Sequence, residues 1–185
     1  KKLNFGNIMG HVTNVTNLAS LASWTADQFD PTLTWEDIAW IKDRWKGKLI
    51  LKGIMDSEDA MLAVKAGADA IIISNHGGRQ LDGAPSTISV LPEIVDAVNS
   101  KVEVHFDGGV RSGQDVLKAL ALGADCIHIG RPYVYGLGAK GQEGVEIAIE
   151  IIKKELDLTM AMCGETNISN VGLHNLHHNP FKIIN

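Results

Sequence analysis

A histidine and an arginine three residues apart, separated by two glycines, stand near the middle of the chain as His76-Gly77-Gly78-Arg79. An imidazole exchanges a proton near neutral pH, and a guanidinium grips a carboxylate through two parallel hydrogen bonds. Aimed into one mouth, the pair suits a small organic acid: Arg79 holds the carboxylate while His76 takes a proton from the neighbouring carbon or hydroxyl. Other polar groups stand, like these, just where an apolar run stops: Lys52, Ser74, Asp107 and Gly130 with Arg131. Asp107-Gly108-Gly109-Val110-Arg111-Ser112-Gly113 leads toward a helix start, so it offers amide donors, a positive dipole end and an arginine. Gly130-Arg131-Pro132 repeats that arrangement farther along, and phosphate is the natural guest of both loops.

The elements that must position these groups alternate between strand and helix. Three consecutive isoleucines, Ile71 to Ile73, read as a strand buried on both faces. The pattern predicts strands near residues 49–52, 70–74, 102–107 and 126–130. Thr34 and Asp37 have capping-box spacing ahead of Trp35, Ile38, Ile41 and Trp45, which predicts a helix ending at Gly47. Asp56 caps a second helix that stops at Gly67, Pro92 opens a third, and Ser112 caps a fourth that stops at Gly123. A short helix is expected after Pro132 and a longer one from Gly144 to Met162. Residues 1–31 read as a linker or loop segment with one short helix around Leu18 to Trp24, and residues 32–185 carry the alternating units.

The chain also repeats itself. Ala63-Val64-Lys65-Ala66-Gly67-Ala68-Asp69-Ala70-Ile71-Ile72-Ile73 aligns without gaps on Ala119-Leu120-Ala121-Leu122-Gly123-Ala124-Asp125-Cys126-Ile127-His128-Ile129. Each copy is a helix end, a glycine stop, an acidic turn and a strand, which is a repeated βα unit. Four such units imply parallel crossovers, in an open doubly wound sheet or in part of a (β/α)8 barrel. In a barrel, the residues at the strand ends converge on one mouth.

Composition narrows the partners. A net charge of -5 argues against nucleic acid. The two cysteines, Cys126 and Cys163, do not make a disulfide framework, which suggests a reducing compartment. No apolar run approaches the ~20 residues that span a bilayer, and no signal-peptide core opens the chain. His105 and His128, inside strands, read as lumen packing. His174, His177 and His178 lack a cysteine or carboxylate spaced to complete a site, so no metal is expected. Trp24, Trp35, Trp40 and Trp45 read as core and helix packing.

Together Leu49-Ile50-Leu51-Lys52-Gly53, Ser74-Asn75-His76-Gly77-Gly78-Arg79-Gln80-Leu81-Asp82, Asp107-Gly108-Gly109-Val110-Arg111 and Gly130-Arg131 resemble the FMN-dependent 2-hydroxy acid oxidases and dehydrogenases. That family includes glycolate oxidase, L-lactate dehydrogenase and mandelate dehydrogenase. The match spans about residues 30–172, and residues 5–35 look most like the membrane-associated lactate and mandelate dehydrogenase branch. The resemblance implies that His76 is the active-site base, that Arg79 holds the substrate carboxylate, and that Lys52 stabilises negative charge on the reduced flavin. It implies that Ser74 touches the flavin, that Asp107, Gly108, Gly109, Val110 and Arg111 line the ribityl chain and phosphate, and that Gly130 and Arg131 close the phosphate site. The implied reaction is oxidation of an (S)-2-hydroxy acid, of L-lactate type, to the 2-oxo acid with two electrons passing to FMN. It also implies a cytoplasmic protein with peripheral contact at the inner face of the membrane.

The family's barrel has eight βα units, and four are legible here, corresponding to its second half. A complete barrel needs ~250 residues, so the reading is the C-terminal half of a TIM barrel, a fragment or one chain of a split enzyme. Its partner is then the missing N-terminal half-barrel. The alternative is a half-barrel that pairs with a copy of itself and binds phosphate or FMN without turnover. Another phosphate-binding barrel enzyme, IMP-dehydrogenase-like or a flavin-dependent isomerase, is disfavoured by the His76 to Arg79 motif.

Overall fold

The computed structural model describes residues 8, 12 and 15–177. His178 and most of the first fourteen residues lie outside the described part. Helices α1 (Leu18–Asp27) and α2 (Trp35–Trp45) come first, followed by β1 (Ile50–Ile54), α3 (Ser57–Lys65), β2 (Ala70–Ile73), α4 (Thr87–Val98), β3 (Glu103–Phe106), α5 (Gly113–Ala121), β4 (Cys126–Ile127), α6 (Arg131–Lys140) and α7 (Gln142–Met162). The four strands form one parallel sheet in the order β1-β2-β3-β4. A doubly wound sheet reverses its strand order partway, and this one does not. Ile71, Ile73, Val104 and Phe106 face the helices and are almost wholly buried, whereas Ile72 and Lys52, pointing the other way, are not. A parallel sheet wound in one direction with its core on one face is consistent with a partial barrel.

Each repeat copy carries its aspartate for a visible reason. The Asp69 carboxylate accepts the amide of Leu49 at 2.9 Å, and Asp125 accepts the amide of Val104 at 2.8 Å. In return, the Asp69 and Asp125 amides donate to the carbonyls of Leu49 and Val104. Each acidic turn therefore locks the entry of its own strand to the entry of the preceding one. Asp69 also pairs with Lys42 of α2 and with Lys48. The hydrogen bond from Lys42, then the Leu49 amide, then Lys48, hold its carboxyl far below the ordinary carboxylate range.

A lowered carboxylate value means that stability is present above the unfolded value of ~3.9 and is lost as pH falls toward the folded one. Asp69→Asn is expected to lower the urea midpoint at neutral pH. Its gap to the wild type should stay constant down to about pH 4 and close below it, as read from urea melts across pH.

Three expectations need correction. Helix α4 begins at Thr87, not at Pro92, which sits inside it. Leu91, Ile94 and Val98 are fully buried, and this apolar stripe carries the helix past the backbone bond the proline omits. Strand β1 does not finish at Lys52 but continues to Ile54 across a bulge at Gly53, whose φ is +103°. The extra residue turns Ile54 into the helix-side core while Lys52 keeps to the opposite face. The ladder of β4 ends at Ile127, because its partner β3 ends at Phe106; one further bond, His128 to the Phe106 carbonyl, extends it.

Packing of the tryptophans is also mixed. Trp35 packs against the core, but Trp40 and Trp45 are mostly exposed, with Arg44 lying over the Trp40 ring at 4.5 Å.

Candidate active site

Ser74, at the end of β2, is buried and its hydroxyl joins two site residues. Its Oγ accepts from Lys52 Nζ at 2.7 Å and from the His76 amide at 3.1 Å. Lys52 Nζ also lies 3.0 Å from Asp107 at the end of β3. The ammonium reaching the cavity from β1 is thus fixed by groups from the next two strands. A flexible lysine is held as a directed charge.

His76 follows in a short turn of 3-10 helix, His76–Gly78, with φ +57°. The left-handed region costs a residue with a Cβ on the order of 1 kcal/mol, so surrounding bonds must hold it there. Asn75 supplies them: its Oδ1 accepts from the Gly78 amide, and its Nδ2 donates to the Pro85 carbonyl at 3.1 Å. Arg131 Nη2 donates to the Gly77 carbonyl at 3.0 Å, tying the histidine loop to the start of α6.

These groups open on a cavity of about 660 Å³ lined by Lys52, His76, Arg79, Asp107, Arg111 and Arg131, together with Gly108, Gly109, Val110 and Gly130. Ser74 alone among the expected site residues lies behind that surface and acts on it through Lys52 and His76. The sequence reading did not single out His128 or Tyr133, Val134 and Tyr135 of α6 as lining residues. A signal was available for the α6 residues, since they follow directly on the Gly130-Arg131 loop. Burial, and then the neighbouring His105, push the His128 imidazole below its ordinary value, against a smaller opposing pull from Asp107.

The anion cradle differs in detail from the expectation. The amides of Arg111 and Ser112 at the entry to α5 donate to the Asp115 carboxylate, each at 3.0 Å, and the Gly113 amide donates to Glu155. Burial pushes the Asp115 carboxyl up, but the Arg111 and Ser112 bonds outweigh it and leave it below its ordinary value. The α5 terminus is therefore capped from within. Helix α6 differs: Gly130 caps it without any side-chain bond. The groups in the cavity wall that could hold an anion are that terminus and the Arg111 and Arg131 guanidinium groups.

Gly108 has φ +102°, and a Cβ there would stand 2.6 Å from Thr87 Oγ1, so the loop requires glycine. Gly109 beside it borders open space. A phosphate-bearing flavin fits this donor set: two guanidinium groups and an uncapped helix end for the phosphate, glycine backbone that permits close approach, and a fixed lysine along the wall.

A parallel sheet that gathers cations and a histidine at the C-terminal ends of its strands defines an α/β protein with its candidate site at that rim. Within that class, residues 3–178 match the family described as FMN-dependent dehydrogenase, and the chain belongs to it. Relatives include the L-lactate dehydrogenase of Stenotrophomonas maltophilia, 44% identical over 96% of this chain and 47% of that protein. The 2-hydroxyacid oxidase 1 of Mus musculus is 48% identical over 92% of this chain and 46% of that protein. A mandelate oxidase solved with (S)-4-hydroxymandelic acid superposes with TM-score 0.78 at 45% identity, covering 82% of this chain and 42% of that one. A monotopic membrane protein, (S)-mandelate dehydrogenase, gives TM-score 0.79 at 38% identity over 87% of this chain and 43% of that one. The chain spans just under half the length of the relatives it matches. Among the described residues, no helix is long and apolar enough to cross a membrane.

Proposed function

We propose that this chain supplies the C-terminal four βα units of a (β/α)8 enzyme that oxidises an (S)-2-hydroxy acid, of L-lactate type, to the 2-oxo acid with FMN. In this reading residues 1–31 lead into the barrel, and residues 32–185 are its second half. The observation that carries it is the convergence of Lys52, His76, Arg79, Asp107, Arg111 and Arg131 on one cavity. Arg79 binds the substrate carboxylate through its fork, and His76 removes the proton, from the hydroxyl or from the carbon beside it. Bound FMN supplies the acceptor of the electron pair. Arg111, Gly130 and Arg131 hold its phosphate, and Gly108, Gly109 and Val110 border its sugar chain. Asp107 would border the ribityl chain while keeping Lys52 directed along the wall, and Ser74 fixes both Lys52 and His76.

Four strands leave β1 and β4 as edges among the described residues. The remaining half-barrel covers them in the complete enzyme. Those same edges support a second reading, in which two copies pair and bind FMN without turnover. The likeness to a monotopic membrane protein supports peripheral contact with a membrane, which this reading places at the inner face.

The test is anaerobic mixing of the FMN-loaded protein, expressed from its whole reading frame, with L-lactate, glycolate and (S)-mandelate. Bleaching of the visible flavin bands by at least one of them is expected, with the matching 2-oxo acid as product. A yellow protein that no 2-hydroxy acid bleaches contradicts the proposal. A chain that forms a flavin-binding dimer without turnover favours the second reading.

A further inference from the structure

On the face of the sheet turned away from the helices lie three ligating side chains that the proposed reaction does not use. His105 and Cys126 stand directly opposite each other in the β3 and β4 register. His128 follows Cys126 by two residues, so strand alternation sends it to the same face. His105 Nδ1 is 3.1 Å from His128 Nε2, and one ring nitrogen of each histidine and the Cys126 sulfur all lie within 4.8 Å of one another.

We propose that His105, Cys126 and His128 bind a transition-metal ion of borderline softness, with zinc the best match. Two Zn–N bonds of ~2.0 Å at a tetrahedral angle place their nitrogens ~3.3 Å apart, close to the spacing of the two imidazoles. Two imidazoles and a thiolate suit zinc or copper and disfavour magnesium or calcium, which take oxygen ligands.

A second observation points the same way. His105 Nε2 lies 3.2 Å from the Glu103 carboxylate. A carboxylate accepts, so Nε2 carries the proton and Nδ1 presents a lone pair toward His128, the arrangement that orients metal-ligating histidines. Without metal, His128 Nε2–H fills that lone pair. With metal, the His128 proton moves to Nδ1, the ion takes the place of the shared hydrogen, and the Cys126 thiol releases one proton to solvent. His128 also lines the main cavity, so the fourth coordination position opens toward it and takes water or a small anion.

The probe is Co2+ added to the chelator-treated protein, followed by Zn2+ competition. The expected result is saturation at a single equivalent, with a sulfur-to-cobalt charge-transfer band that Zn2+ abolishes. Cys126→Ala should remove the band while Cys163→Ala keeps it, and Glu103→Gln should weaken binding about tenfold. A readout free of variants is alkylation: Zn2+ should protect Cys126 of the wild type from iodoacetamide and leave the exposed Cys163 reactive. Absence of any cobalt band overturns the proposal. So does a band that survives Cys126→Ala in folded protein, or Zn2+ that leaves Cys126 fully reactive.

Discussion

Replacing His76 by Gln is expected to slow reduction of bound FMN by a 2-hydroxy acid by about 10²–10⁴-fold, the range typical of a lost general base. Glutamine keeps a polar side chain of similar length but cannot accept a proton at neutral pH. FMN affinity should stay near that of the wild type, because the residues proposed for the phosphate are Arg111, Gly130 and Arg131, with Lys52 held by Ser74 and Asp107. Stopped-flow reduction and an FMN titration of the same variant separate the two quantities. The split between them distinguishes loss of a base from general disruption of the loop. His76 has φ +57°, which glutamine tolerates no better, so unchanged FMN affinity also serves as the check that the turn is intact.

The largest structural effect is expected from Gly113→Ala. A Cβ at position 113 would lie 1.9 Å from the backbone nitrogen of Leu156 and 2.3 Å from the carbonyl carbon of Glu155. Those atoms belong to the middle of α7, so no side-chain rotation relieves the overlap. Helices α5 and α7 must separate, and the bond from the Gly113 amide to Glu155 is lost with the contact. Overpacking of this kind costs typically 1–3 kcal/mol and occasionally more, and backbone-on-backbone overlap puts this site at or above the upper end. Because α5 starts directly after the Gly108 to Arg111 loop, the same change should weaken FMN binding. A fall in denaturant midpoint accompanied by reduced FMN affinity at low denaturant is the expected pattern. Wild-type stability in the variant would mean that the two helices do not meet there.

Much of this arrangement is legible in the residue order. The Thr34 to Asp37 spacing predicts the bond from the Thr34 amide to the Asp37 carboxylate that starts α2, and the gapless repeat of Gly67-Ala68-Asp69 on Gly123-Ala124-Asp125 predicts two helix-to-strand turns with matching backbone bonds. The convergence of Lys52, His76, Asp107 and Arg131 follows from parallel strands alone, since every strand then ends on the same rim. What the order of residues hides is long-range. Asp69 reads as a polar turn residue until Leu49 and Lys42 are seen beside it. Asp115 carries no distinguishing mark in the sequence, yet it occupies the Arg111 and Ser112 amides that an anion was expected to take. Pro92 reads as a helix start because local propensity knows nothing of the buried surface that Leu91, Ile94 and Val98 find against the sheet. His105 and His128 read as lumen packing inside strands; the structure puts His128 just past β4, and the groups beside the pair, Glu103 and Cys126, become apparent only through strand register.

The cavity at the strand ends is proposed to recognise a flavin by its phosphate, through Arg111, Arg131 and the uncapped end of α6. The direct measurement is an equilibrium titration of the protein with FMN and with riboflavin, which differs only in lacking the phosphate, repeated on Arg131→Met. Hydrogen bonds to a charged partner contribute about 1.5–3 kcal/mol, so FMN should bind at least about tenfold more tightly than riboflavin, and most of that margin should vanish in the variant. Equal affinity for the two flavins, or a preference for FMN that Arg131→Met leaves untouched, would contradict it.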